Sequence, residues 1–177
     1  MATTSGVNPN SLVDEIARLA LEFQEGFESR FGYPPDEHLV SKAQDDDTSI
    51  APGNLLAHAT AKDLLRFYDI VDEISLPDLD NGYFIHPRSV TFNGEGAGHP
   101  TEVRGYRSEE ICTFGSEGGG ALYALGLSTG HVYRLTGGEL IGSAYSVEPS
   151  GFHTAAPSLW GFLEFLRDRL KKSLMGD

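Results

Sequence analysis

Between Ile111 and Leu135 the chain reads ICTFGSEGGGALYALGLSTGHVYRL, and this stretch narrows the possible folds more than any other. Three apolar runs, over 111–114, 121–125 and 132–135, are divided by breaks rich in glycine and serine. Short apolar runs bounded by turn residues have the pattern of strands, and the five-residue link 126–130 has hairpin length. Gly115, Gly118, Gly119 and Gly120 read as structural turn positions. Glycine takes positive φ without strain and lets two backbones approach closely. At least one of the last three is therefore expected at positive φ.

The glycine cluster has sharper readings, and each fails on a residue. A phosphate-cradling loop needs Lys and Ser or Thr after its last glycine, where Ala121 and Leu122 stand. A dinucleotide fingerprint needs a third glycine where Tyr123 stands, and a nucleophile elbow at Ser116 needs glycine in place of Phe114. All three also require a helix after the turn, whereas the pattern here continues as strand.

Around this block lie three helical stripes. Leu12, Ile16, Leu19, Phe23 and Phe27 share one face of a helix expected over 12–31, which Ser11 and Asp14 cap and Pro34 and Pro35 stop. Leu64, Phe67, Tyr68 and Val71 line a second helix over 61–71, with Thr60 at its start. Leu159, Phe162, Leu163, Leu166 and Leu170 line a third over 158–172, entered from Pro157. Strands are expected over 83–86, 102–106, 110–114, 122–125, 132–135 and 140–147, with 89–92 a strand or helical turn. The short links between them favour antiparallel pairing. The expected fold is α+β: a mostly antiparallel sheet of about five or six strands flanked by helices. One domain spans 1–177, with 1–10 frayed and 11–59 a helix plus loop extension.

Chemistry is scarce. The six histidines form no pair at metal-ligand spacing, and the run Asp45, Asp46, Asp47 lacks the glycine and glutamate of a calcium loop. Cys112, the single cysteine, lies inside an apolar strand and reads as an inert buried thiol. Ser116 and His131 lack the elbow of a triad, and Glu109 and Glu110, adjacent on a strand, point to opposite faces. No catalytic residue, metal or cofactor is expected. The 26 acidic and 13 basic residues give a formal net charge of −13, which opposes nucleic-acid binding and favours a cationic partner. No apolar run reaches a membrane-spanning length and no secretory leader is evident, so the expected compartment is the cytoplasm.

The segment FGSEGGGALYALGLSTGHVYRL resembles the second half of the SUKH superfamily, the Smi/Knr-like domains. Upstream, Leu65, Arg66, Phe67 and Tyr68, and the run LPDLDNGYFI from Leu76, resemble the helix and Asn-Gly strand entry of the same domain. The resemblance implies a non-catalytic protein-binding module, like bacterial immunity proteins that neutralise a toxin of a polymorphic toxin system. A basic nuclease-type toxin is the implied partner. Asp78, Asp80, Asn81 and Glu117, beside the two turns, are the expected partner-binding residues. Two alternatives stand beside this reading. One is an intracellular scaffold or regulator of the same family. The other is a small-ligand-binding protein or enzyme with a pocket near Gly118 to Gly120 and Glu117 as its charged group.

Overall fold

Asn8 opens the first helix, α1 (Pro9–Phe31), by accepting from the backbone N–H groups of Asn10 and Ser11, with Pro9 in the first turn. The cap is thus three residues earlier than Ser11, because the Asn-Pro pair satisfies the start rules better. Gly32, at φ 82°, closes the helix. The computed structural model describes residues 6–46 and 48–176, so Asp47 and the first half of the expected frayed start lie outside the described residues, while Pro9 and Asn10 already belong to α1.

The chain continues as β1 (Leu39–Lys42), α2 (Gly53–Leu56), α3 (Lys62–Tyr68), β2 (Val71–Leu76), β3 (Tyr83–Ile85) and α4 (Arg88–Asn93). Then come β4 (Glu102–Gly105), β5 (Glu109–Glu117), β6 (Leu122–Gly126), β7 (Val132–Leu135), β8 (Glu139–Ile141), β9 (Ala144–Val147), β10 (Phe152–Ala156) and α5 (Leu159–Met175). The fold is α+β, and all strand pairs are antiparallel except β4 with β9. The described residues hold ten strands, more than the five or six expected. The excess has identifiable sources. Gly142, at φ 63°, folds the expected strand 140–147 into the β8–β9 hairpin. β1, β2 and β10 were not expected, and Val71, read as helical, opens β2 instead. The segment 11–59 is also no mere extension, since α1 carries core residues and β1 pairs with β2.

Strand β5 is the hub. Its end at 115–117 pairs with β3, its start at 109–110 pairs with β4 on the same edge, and its other edge pairs with β6. The sheet therefore forks. One limb runs β5–β3–β2–β1, the other β5–β4–β9–β8, and β6, β7 and β10 extend the far edge.

A bulge in β5 decides which side chains face where. Thr113 lies opposite Ala124, but Gly115 lies opposite Tyr123, so Phe114 is an extra residue. Beyond it the strand's faces are exchanged. The larger core lies between one face and the helices, where the predicted stripes of α1, α3 and α5 meet Ile74, Leu76, Ile85 and Tyr123. A smaller core on the other face joins Val103, Ile111, Ala124, Tyr133, Leu135, Tyr145, Val147 and Phe152. None of the helices is long and apolar enough to cross a membrane, among the described residues.

Candidate functional site

Five pieces of chain converge at one end of the molecule: the end of α1, the strap after it (32–38), the β2–β3 turn, the β5–β6 turn and the last turns of α5. The contacts are specific. Asp78 Oδ2 accepts from the Asp36 N–H at 2.8 Å and from His38 Nε2 at 3.0 Å, tying strap to β2–β3 turn. Asp80 accepts twice from Arg169 of α5, at 2.8 and 2.5 Å, and once from the Tyr83 hydroxyl at 3.1 Å. The Gly118 N–H donates to the Asn81 carbonyl at 3.0 Å, so the Asn-Gly and glycine-rich turns lie together. Arg30 donates to the free carbonyls of Ser173 and Leu174 at the end of α5.

The glycines act as turn residues. Gly120 sits at φ 87°, and a Cβ on Gly118 would lie 2.2 Å from the Asn81 carbonyl oxygen. On Gly115 it would meet the Phe84 carbonyl oxygen at 2.7 Å. Gly119 stands in open space in the turn between them. Asp80 itself has φ 55°, the one non-glycine residue at positive φ among those described.

The four expected partner-binding residues separate in the structure. Asp80 and Asn81 are exposed, and Asp78 is half-buried under the strap. Glu117 does not project: it is buried and hydrogen-bonded by Arg134 Nε, with the Tyr123 hydroxyl at 3.5 Å. The bulge at Phe114 turns its side chain toward the helices. Electrostatics follow the pairing. The hydrogen bonds from Arg169 hold the Asp80 carboxyl below its ordinary value. Burial, then the Asp80 charge, pushes the Tyr83 hydroxyl up to about 12. The hydrogen bond to Glu117 keeps Arg134 more firmly charged than usual.

What sequence reasoning missed at this end is aromatic. Phe31 and Tyr33 are 47% and 55% exposed, and both pack on buried Phe27, at ring-centroid distances of 4.5 and 5.1 Å. Exposed Glu28, Asp36 and Glu37 surround them in the chain. The signal was present, because Phe31 continues the Phe23, Phe27 spacing past the point where the helix leaves the core.

Two other clusters carry polar groups. Glu109, at the start of β5, is buried on the smaller-core side. It accepts from the Ser128 N–H at 3.1 Å, the Ser128 hydroxyl at 2.5 Å and the Tyr133 hydroxyl at 2.8 Å, and pairs with Arg107 at 3.1 Å. Glu110 points out, as alternation requires. Ser116 lies 3.1 Å from Nε2 of His86, not beside His131. A nucleophile–base pair needs a third group to orient the base, and His86 Nδ1 has no partner among the described residues. Burial, then the neighbouring His99 stacked at 4.7 Å, lowers His86 to about 4. The described residues contain no group of three or more His, Cys, Asp or Glu placed to hold a metal ion. No protein-family model, curated protein or solved structure matches this chain.

Proposed function

We propose that the chain is a non-catalytic binding module for a basic protein, in the manner of the immunity proteins that its glycine-rich segment resembles. The observation that carries this reading is the pair Phe31 and Tyr33, standing half exposed at the end where five chain segments are cross-tied. Exposed aromatics on a rigid base are the usual anchors of protein interfaces. Charge supports a cationic partner. Most Lys and Arg side chains are engaged with acids of the chain itself, as in Arg169 with Asp80, Arg134 with Glu117 and Lys171 with Glu15. The acids near the aromatics that have no cationic partner among the described residues, Glu28 and Glu37 among them, leave the surface field negative.

In this reading Asp80 and Asn81 belong to the rim of the interface, Asp78 holds the strap that presents Tyr33, and Glu117 supports the turn from beneath. Capture of partners from the native host by the intact protein tests it. A basic protein should be retained at low salt and bind more slowly as salt rises. The double variant Phe31→Ala, Tyr33→Ala should lose it while the fold is kept. Retention of the same partner by that variant would move the interface elsewhere, and turnover of a small molecule by the pure protein would end the binding-only reading.

A further inference from the structure

The fork in the sheet leaves a hole. On one edge of β5, β3 is paired as far as Gly115 and β4 as far as Glu110. Two bridging bonds narrow the interval, from the His86 N–H to the Phe114 carbonyl and from the Ile111 N–H to the Thr101 carbonyl. Among the described residues no strand covers Cys112 and Thr113 on that edge. The connection from β3 to β4 arches over the gap instead, and α2 closes it from the side. The result is a cavity with room for about 190 Å³ of solvent, far from the glycine-rich turn where a pocket was expected.

Its lining is graded. The floor is apolar and buried, with Leu55, Phe92, Pro100, Ile111 and Leu127, and Cys112 adds a thiol that burial pushes up to about 12 and so keeps uncharged. Thr113 and Thr91 face it with hydroxyls already bonded, to the Pro100 carbonyl and to Tyr68, so the floor asks for no further hydrogen bond. The mouth is polar and exposed, formed by Asn54, Asn93 and Glu95. Among the described residues no Lys, Arg or His lines it, and Glu95 is the one carboxylate. A dry floor with few polar groups at the mouth is the usual plan of a small-molecule site.

We propose that this cavity binds a small arylalkylamine, its ring on the Phe92 and Leu127 floor and its ammonium group at the mouth against Glu95. The volume suits a ring system of about eight or nine non-hydrogen atoms, since cavities of about 150 Å³ accept benzene. The site is independent of the aromatic end that carries the protein-binding reading, and either can fail alone.

The probes are tryptamine, indole and indole-3-acetate, which share a ring system and differ in charge. Each is titrated into the intact protein while backbone amide shifts are followed by NMR. Tryptamine should move the amides of Thr91, Phe92, Ile111, Cys112 and Thr113, and bind about fivefold more tightly than indole, with indole-3-acetate weakest. Glu95→Gln, a change at an exposed position, should bring tryptamine and indole to similar affinity. Cys112→Met, which fills the floor, should weaken all three by about tenfold or more. Absence of shifts at these amides with all three probes would overturn the proposal. So would equal binding of tryptamine and indole-3-acetate, or full-strength binding by a folded Cys112→Met protein.

Discussion

Glu109 and Glu117 stand at opposite ends of one strand, both buried, and they are held in different ways. Glu109 is held mainly by neutral donors: the backbone and hydroxyl of Ser128 and the Tyr133 hydroxyl, with Arg107 from the side. Its carboxylate fixes the β6–β7 turn. Glu117 is held by a single cation, Arg134, across β6. Spaced by an even number of residues, the two would share a face in a regular strand. The extra residue at Phe114 puts them on opposite faces, one beneath the hairpin turn and the other beside α5. One bulge thus makes two environments from one residue type, a loop organiser and an ion pair.

The most severe way to break this comparison is to remove the bulge. Inserting one residue between Tyr123 and Ala124 of β6, opposite Phe114, should restore regular alternation, force Glu117 toward the smaller core and abolish cooperative unfolding in denaturant titrations. Phe114→Ala should retain the register and cost about 3–5 kcal/mol, so the contrast separates register from lost packing. Next comes Glu109→Ala, expected to cost about 3 kcal/mol in the same assay, because several donors lose their shared acceptor. Glu117→Ala should cost less, about 2 kcal/mol, since Arg134 is 36% exposed and can turn to water.

A pH titration sharpens the difference. Burial raises the Glu109 carboxyl, but the hydrogen bonds from Ser128 and Tyr133 and the Arg107 charge together outweigh it and leave the folded value below the ordinary 4.5. A depressed folded value stabilises the protein above the unfolded value, and that contribution is lost as pH falls through the folded one. Glu109→Gln should therefore flatten the decline in stability below about pH 4.5. The smallest effect is expected at the exposed pair: Asp80→Asn should cost about 0.5 kcal/mol, and less in high salt.

How far the sequence foretold this depends on what each element displays. β7 has its predicted bounds because apolar residues run through it between clear turns, and the three helical stripes are buried as their spacing implied. β10 reads Phe-His-Thr-Ala-Ala with an exposed middle, and β1 is a partly exposed edge, so neither shows alternation. The Asn-Gly and glycine-rich segments were legible as turns, and Gly82 and Gly120 sit at positive φ there. The ion pair of Asp80 with Arg169 was not, because the partners lie 89 positions apart and neither residue type announces the other. Glu117 was misplaced for a definite reason: nothing in Cys-Thr-Phe-Gly marks Phe114 as the extra residue.

The packing of α1 on α5 has a consequence for biosynthesis. Arg30 reaches the carbonyl of Ser173, 143 positions later. On a chain emerging from the ribosome, the apolar stripe of α1 and the helix-facing side of the sheet exist well before their common cover does. Contacts so distant in sequence slow folding and lengthen the time for which apolar surface stays open to other chains. A nascent chain halted before α5 would expose that surface, and a chaperone that shields it would act mainly in that interval.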